Sequence, residues 1–396
     1  MLRTKMRKTY KYRLYPTKRQ EVALLATLDI CRILYNSCLV DRKNHYQSTG
    51  KGLSRMDQQR VLVDDKKRVE SLHGIHSQVL QDVLFRVERA YQGFFRRLAN
   101  NEGKPGYPRL KGEGRYDSIT YPQEPGFRVE DGRLRLSKIG TIKIKMHRVL
   151  VGQVKTCTIR KNGKHWYACF SVEYAPVKRP VPAKAIGIDV GIETFATLSD
   201  GREIENPKYL RKSETRLVRV QRSLSRKKKG SANRRKARVR VADVYRKTRN
   251  QRNDFHHKEA RNIVNECGII AAEDLKIKNM VRNRHLSKSI SDAGWGTFLN
   301  ILAYKAEEAG CRFIRVDPKY TSVICSGCGA AVPKTLAVRV HRCPACGLVI
   351  GRDHNAAINV LDKATLPQGL REVTPGESLV QSGHSLNQEA PSVREG

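Results

Sequence analysis

The chain has 396 residues, with 77 lysines and arginines against 38 acidic residues and a formal net charge of +39. This length allows several domains and a sizeable core, and the charge favours a polyanionic partner, most simply nucleic acid. The N-terminus lacks the apolar segment of a secretory signal, no run approaches the ~18 apolar residues of a membrane span, and the ten cysteines fit a reducing compartment. A cytoplasmic protein is therefore expected.

The N-terminal part predicts a strand followed by two long helices. Residues 8–14 alternate as a strand that ends before Pro16. Apolar residues then recur at helical spacing over about 18–46 and again over about 77–100. These helices are expected to pack together, and the glycines and prolines of 103–108 indicate a linker or a loop that faces nucleic acid.

From about residue 118 to residue 174 the apolar period changes to two. Ile142 and Ile144 alternate with lysines, and the turn pairs Asp131-Gly132 and Asn162-Gly163 separate strand-like runs. The pattern predicts a small antiparallel sheet or barrel. Its outward face is basic, which indicates either contact with phosphate groups or a solvated surface.

The C-terminal half predicts an α/β domain. Strands are expected at 184–190, 194–198, 268–272 and 312–316, with a helix over about 293–309 before the last of them. From about residue 367 onward the composition predicts a disordered tail.

Residues 207–263 predict a basic helical hairpin that turns near Gly230. A run of like charge is often only a solvated face, but this segment also carries an apolar stripe. The hairpin is therefore expected to line a nucleic-acid channel, with contacts from Arg226, Lys227, Lys228, Arg234 and Arg235.

Two Cys-x-x-Cys pairs predict a structural zinc site. Cys325 and Cys328 form the first pair, and Cys343 and Cys346 form the second, fourteen residues later. Four thiolates complete a tetrahedral zinc shell and leave no open position for catalysis. Disulfides are the alternative, which a reducing compartment disfavours. His341 could compete as a ligand but lies outside the paired spacing.

Three acidic residues adjoin apolar runs: Asp189 and Glu273 end predicted strands, and Asp353 opens a predicted helix. A carboxylate at the tip of a buried strand is costly unless it is paired or binds metal. Mg²⁺ prefers oxygen ligands, and two-metal sites hydrolyse phosphodiesters. Three alternatives stay open, because Asp189 could be a turn residue, Asp274 could replace Glu273, and Asp353 could be a helix N-cap. Spacing alone does not show that the three converge.

The order of these motifs resembles that of the TnpB (OrfB) proteins of bacterial insertion sequences, which are related to type V CRISPR effectors. The resemblance rests on Gly-Ile-Asp-Val-Gly-Ile around Asp189, on Glu-Asp-Leu-Lys-Ile-Lys-Asn-Met from Glu273, and on the two cysteine pairs followed by Asp-His-Asn-Ala-Ala-Ile-Asn from Asp353. It covers about residues 8–365. The chain departs at Gly351, where the family often has another Asp.

The resemblance implies an RNA-guided DNA endonuclease of a mobile element, in the cytoplasm of a bacterium or archaeon. Its implied fold is a RuvC-type, RNase H-like nuclease domain with an inserted zinc ribbon, plus a small β-barrel wedge domain and a helical recognition domain. Asp189, Glu273 and Asp353 would be the catalytic residues and hold two Mg²⁺ ions, while one Zn²⁺ is structural. The implied partners are a guide RNA from the transposon end and double-stranded target DNA beside a short motif. The protein is expected to be a monomer.

The resemblance also implies domain boundaries. The wedge domain would span 1–15 and 116–183, the recognition domain 16–115, the nuclease domain 184–320 and 349–365, the ribbon 321–348, and a disordered tail 366–396.

Three other functions fit parts of the sequence. A transposase that acts directly on transposon-end DNA could use the same carboxylates. A guided DNA-binding repressor would lack cleavage. A general basic RNA-binding protein would leave both the carboxylates and the cysteines unexplained. Trp295, near a glycine-flanked helix start, could stack on a base or lie in the core.

Overall fold

The computed structural model describes residues 5–101, 103, 105–176, 179–335 and 337–365. They form two compact units, one spanning Lys5–Ala175 and one that begins at Pro176. The predicted disordered tail at 366–396 lies outside the described residues.

The first unit combines helices with an antiparallel sheet. Its elements are β1 (Met6–Tyr15), α1 (Lys18–Thr49), α2 (Arg55–Arg68), α3 (Glu70–His73), α4 (Ser77–Ala99), β2 (Ser118–Tyr121), β3 (Phe127–Glu130), β4 (Arg133–Leu136), β5 (Gly140–Lys145), β6 (Gln153–Asn162) and β7 (His165–Tyr174).

The first unit contains one antiparallel sheet, as the apolar period predicted, and the sheet has the form of a near-barrel. Its strand order is β2-β6-β7-β1-β5-β4-β3, with all neighbours antiparallel. In the described part of the chain, no ladder joins the two edge strands β2 and β3. The edges nevertheless approach each other: a Cβ added to Gly126, just before β3, would lie 3.1 Å from Cδ1 of Tyr121 at the end of β2, and the Tyr121 hydroxyl donates to the Ser137 carbonyl at 3.2 Å.

Helices and sheet of the first unit share one hydrophobic core. The apolar face expected of the second helix is buried in α4 at Leu80, Val83, Leu84, Val87 and Tyr91, whereas Leu98 near its C-terminal end is 54% exposed. Among the described helices, α1 alone is long and apolar enough, by length and composition, to cross a membrane, although charged residues interrupt its apolar stretch. Its buried apolar residues belong to the same core as the sheet, which is the arrangement of a core helix in a globular unit.

The second unit is a layered α/β structure that carries a small ribbon. Its elements are β8 (Ala185–Val190), β9 (Thr194–Leu198), β10 (Glu203–Glu205), α5 (Tyr209–Ser225), α6 (Ala232–Glu266), β11 (Ile269–Glu273), α7 (Ile277–Met280), α8 (Ser287–Ala293), α9 (Trp295–Ala309), β12 (Arg312–Val316), β13 (Val340–Arg342), β14 (Val349–Gly351) and α10 (Arg352–Thr365).

The five-stranded sheet has the order β10-β9-β8-β11-β12. Strands β8, β11 and β12 are parallel, whereas β9 and β10 run antiparallel to their neighbours. Alternate residues of β11 serve opposite faces: Ile270 joins the core with α6 and α9, and Ala271 joins a smaller core with α10. Helices therefore cover both faces of the sheet, which explains the continuous apolar runs of the central strands.

Helix α10 lies against β8 at a glycine. A Cβ added to Gly187 would stand 2.0 Å from the Ala357 carbonyl oxygen and 2.8 Å from the Leu361 nitrogen, both backbone atoms of α10. Only glycine permits this separation. The close approach fixes the start of α10 relative to the end of β8.

Candidate active site, zinc centre and nucleic-acid surface

Three acidic residues predicted from the sequence lie at the carboxyl end of the central strands. The parallel register pairs Ile188 of β8 with Ala272 of β11, so Asp189 and Glu273 occupy the next position on adjacent strands. Asp353 lies in the first turn of α10, which packs on β8. The charges of both Glu273 and Asp353 act on Asp189, so both side chains lie within electrostatic range of it.

Burial and mutual repulsion make two of these carboxyl groups hard to ionise. Burial raises the pKa of Asp189 well above its usual range, and the charges of Glu273 and Asp353 raise it further, while Arg352 opposes the shift. Burial also raises the pKa of Glu273, which is only 8% exposed. The Thr321 hydroxyl lowers it in part by donating to Glu273 Oε1 at 2.6 Å.

This donor set suits a hard divalent cation. Clustered carboxylates that repel one another gain from a positive charge between them, and Mg²⁺ favours carboxylate oxygens. The carboxylates do not form a tight trio, because among the described residues only the cysteine cluster has three or more ligating atoms within 4.8 Å of one another.

The structure distinguishes Glu273 from the adjacent Asp274 as the acid that belongs to the carboxylate site. Asp274 is half exposed, forms an ion pair with Arg315 at 3.4 Å, and lies 3.9 Å from Lys276. Its charge is not among those that raise the pKa of Asp189, whereas that of Glu273 is. Glu273 is therefore the residue that faces Asp189.

Two arginines balance the charge of Asp353. Arg352 pairs with its Oδ1 at 3.0 Å, and Arg339 lies 3.8 Å from its Oδ2 while also pairing with Glu193 at 2.9 Å. Asp353 keeps 28% of its side chain exposed, so it remains accessible to a ligand. The predicted alternative role as an N-cap is not observed, since Asp353 is the second residue of the helix.

The four cysteines form the predicted cluster. All four sulfurs lie within 4.8 Å of one another, with Cys325 Sγ 3.7 Å from Cys346 Sγ and Cys328 Sγ 3.6 Å from Cys343 Sγ. A tetrahedral zinc ion with bonds of ~2.3 Å requires sulfur separations of ~3.8 Å. None of the cysteines forms a disulfide. The geometry fits a structural zinc ion.

His341 is not part of the sulfur cluster. Its ring is fully buried, and its Nδ1 accepts a hydrogen bond from Lys334 Nζ at 2.6 Å. Lys334 also donates to the Ser322 carbonyl at 2.7 Å. The buried His341 thus stabilises the ribbon through its hydrogen bond with Lys334 and is not a zinc ligand.

Two asparagines of α10, which the sequence reasoning did not single out, fasten the ribbon to the helix. Asn359 Nδ2 donates to the carbonyls of Thr321 and Ile324, both at 2.7 Å, and Asn355 Nδ2 donates to Ile324 at 2.8 Å. Asn355 Oδ1 accepts from the Ser326 amide at 2.9 Å. The available signal was their i, i+4 spacing, which places both amides on one face of α10. The same contacts hold Thr321, the partner of Glu273.

The basic hairpin forms as predicted, with α5 and α6 joined by a turn in which Gly230 has φ +83°. Four of the five residues expected to bind nucleic acid are exposed: Arg226, Lys227, Lys228 and Arg235. Arg234 differs, because its Nη1 donates to the carbonyls of Leu224 and Lys227 at 3.3 and 2.9 Å. It closes the C-terminus of α5, so its structural role was not anticipated. Nucleic-acid contact at the other four stays a prediction.

Trp295 lies in the core rather than on a binding surface. It is 3% exposed, and its Nε1 donates to the Gly191 carbonyl at 3.2 Å. Gly191 follows Asp189 by two residues, so this bond holds the loop after β8. Base stacking by Trp295 is incompatible with this burial.

Comparison with known proteins places these features in a family. One family profile, described as "Probable transposase", matches residues 169–284, and another, described as "Cas12f1-like, TNB domain", matches residues 295–360. A third, described as "Helix-turn-helix domain", matches residues 6–51, where the structure has β1 and one continuous helix, α1.

Relatives match along most of the chain. A protein of Streptomyces pristinaespiralis named "Putative RNA-guided DNA endonuclease" is 33% identical over 364 residues, which cover 90% of this chain and 89% of the relative. "Putative RNA-guided DNA endonuclease InsQ" of Escherichia coli K12 is 32% identical and covers 96% of each chain. The solved structure titled "Cryo-EM structure of the Cas12f1-sgRNA-target DNA complex" superposes with a TM-score of 0.58 at 13% identity, over 93% of this chain and all of that one.

The fold and the sites thus define a mixed α/β protein with a RuvC/transposase domain and a zinc-binding TNB domain. The chain belongs to the TnpB (OrfB) family of IS605-type insertion sequences, the RNA-guided DNA endonucleases related to Cas12f.

Proposed function

We propose that this protein cuts double-stranded DNA beside a short motif, at sites chosen by a guide RNA from the transposon end. The observation that carries the proposal is the convergence of Asp189, Glu273 and Asp353 at one end of the central strands. The net charge of +39 is suited to an RNA and a DNA partner held together. Family relatives carry the name of RNA-guided DNA endonuclease.

The three carboxylates would share the work of phosphodiester hydrolysis. Two bound Mg²⁺ ions would supply an activated water and stabilise the leaving oxygen. Asp189, on which the charges of the other two acids act, would be a ligand of the bound metal. The Thr321 hydroxyl fixes the orientation of Glu273, and Arg352 and Arg339 hold Asp353. These contacts set the carboxylates before substrate arrives, which lowers the reorganisation needed for the reaction.

The fold supports a finer division of the chain. We assign the five-stranded sheet with α5–α10 to a RuvC-type, RNase H-like nuclease domain, in which the ribbon of 321–348 is inserted between β12 and α10. The near-barrel sheet would be the wedge domain, and α1–α4 the recognition domain. Zinc would be structural, since four sulfur ligands leave no open position.

The exposed end of the hairpin is proposed to contact the nucleic-acid backbone. Arg226 and Lys227 line an open groove of about 710 Å³ along α5, together with Arg219 and Arg222. Four cations line the groove with one carboxylate, Glu214, so its net charge is positive, which suits the phosphate backbone.

The test begins with the nucleic acid that the protein retains. The full chain is expressed with its native flanking locus and purified at moderate salt, and the bound nucleic acid is sequenced. A discrete RNA with a constant 5′ part and a variable 3′ part is expected, and changing the 3′ part should redirect cleavage. Random cellular RNA, or transposon-end DNA alone, would contradict the guided function. Joined DNA ends would instead support a transposase, and guided binding without cleavage would support a repressor.

A further inference from the structure

An exposed tyrosine with an unfavourable backbone conformation lies beside the proposed active site. Tyr320 has φ +63°, in the left-handed region that bulky residues avoid. Its side chain is 66% exposed. Within the described residues, no hydrogen bond, ion pair or ring contact involves this side chain. Packing in this unit therefore does not explain why a large aromatic residue occupies the position.

The loop that carries Tyr320 is held from several directions. The Tyr320 carbonyl accepts hydrogen bonds from the amides of Val323 and Ile324 at 3.1 and 3.0 Å. Lys363 of α10 donates to the carbonyls of Asp317, at 3.1 Å, and Lys319. Such contacts can maintain a strained conformation that would otherwise relax.

The loop is also tied directly to the carboxylates. Thr321, the residue after Tyr320, donates to Glu273 at 2.6 Å, and Asn359 binds the Thr321 carbonyl at 2.7 Å. Consecutive Cα atoms are ~3.8 Å apart, so the Cα of Tyr320 lies about that far from the Cα of Thr321, whose hydroxyl orients Glu273. The backbone of Tyr320 is thus one residue from a group that orients Glu273, and its side chain is exposed to solvent.

We propose that Tyr320 positions the substrate, by stacking on a base of the DNA strand bound at Asp189, Glu273 and Asp353. This inference rests on the proposed nuclease function. A guided enzyme must accept any sequence at its cleavage site, and an aromatic face suits this need because every base offers a π-face. The exposed Lys319 beside it would attract the phosphate backbone. The conformational strain at Tyr320 is retained because it aims the ring at the strand.

The experiment compares Tyr320→Phe, Tyr320→Ala and Tyr320→Gly in the full protein with its guide RNA. Stacking is read with target DNA that carries 2-aminopurine at successive positions, in an Asp189→Ala background that prevents cleavage. Cleavage rates are measured in parallel with Asp189 intact. Tyr46→Ala is the matched control, because Tyr46 is 62% exposed but lies on α1 of the other unit.

Tyr320→Phe is expected to keep both the quenching of 2-aminopurine and the cleavage rate. Tyr320→Ala and Tyr320→Gly should lose the quenching at one or two positions and weaken strand binding by roughly five- to 140-fold, the range for loss of one base stack. Tyr320→Gly should melt at or above the wild-type temperature, because glycine accepts the left-handed conformation without strain.

Three results would overturn the inference. Tyr320→Ala could cut and quench like the wild type, Tyr320→Phe could be as weak as Tyr320→Ala, or Tyr320→Gly could lower the melting temperature and so indicate a structural role. Failure of the underlying function is recognised separately, because the wild-type complex would then cut no guided target or Asp189→Ala would cut normally.

Discussion

Adding one methyl group at Gly187 should inactivate the proposed nuclease site without touching a carboxylate. In Gly187→Ala the new Cβ would lie 2.0 Å from the Ala357 carbonyl oxygen, whereas ordinary van der Waals contact begins at 3.4 Å. Helix α10 must therefore withdraw by about 1.4 Å. Asp353, in the first turn of α10, would move away from Asp189 with it. Because displacement of ~1 Å can cost about 100-fold in rate, cleavage should fall by about that factor.

The assay measures guided DNA cleavage and thermal unfolding of Gly187→Ala side by side. Overpacking should also cost about 1–3 kcal/mol of stability, so cleavage is measured well below the melting temperature. Gly351→Ala is the control, because a Cβ there meets nothing closer than His354 Cβ at 3.8 Å. Wild-type cleavage by Gly187→Ala would refute the reasoning that the contact between α10 and β8 sets the carboxylate geometry.

Three further predictions follow from the same geometry. Cys343→Ser should retain much less than one equivalent of zinc and unfold the ribbon locally, and a full equivalent in metal analysis would contradict the zinc assignment. Asn359→Ala should cost about 1–3 kcal/mol in thermal unfolding, because the Thr321 carbonyl would keep only a 3.5 Å contact with Asn355; an unchanged melting temperature would contradict this. Asp189→Asn should melt higher than the wild type at neutral pH without Mg²⁺, by roughly 2–4 °C for each kcal/mol recovered. Because the pKa of Asp189 is higher in the folded than in the unfolded protein, its ionisation favours the unfolded chain. The wild-type melting temperature should therefore fall as the pH rises from the unfolded-state pKa of Asp189 towards its folded-state pKa. Equal melting temperatures of the wild type and Asp189→Asn across this range would refute the argument.

The strands of the second unit could be predicted from sequence because burial on both faces leaves long apolar runs. The expected 184–190, 194–198, 268–272 and 312–316 correspond to β8, β9, β11 and β12 within one residue at each end. Convergence of the acids followed only from the family resemblance and not from their spacing, since it depends on the register between β8 and β11 and on the approach of α10 at Gly187. Neither the strand register nor the distance between α10 and β8 produces a recognisable pattern in the amino-acid sequence.

Other features were missed for identifiable reasons. Helix α2 buries only Gln58 and Leu62, so it lacks the apolar stripe on which helix prediction depends. A signal existed in its capping box between Ser54 and Asp57. Arg234 was grouped with its basic neighbours because charge alone does not reveal which cation turns back onto a carbonyl.

The choice between the adjacent acids Glu273 and Asp274 tests the central claim most directly. Each is replaced by its amide, Glu273→Gln and Asp274→Asn, and guided cleavage of one DNA target is measured for both at matched RNA and DNA binding. We predict that Glu273→Gln abolishes cleavage, because Glu273 faces Asp189, and that Asp274→Asn keeps it, because Asp274 pairs with Arg315 away from the site. Cleavage by Glu273→Gln at the wild-type rate would contradict the assignment of these carboxylates as the nuclease site.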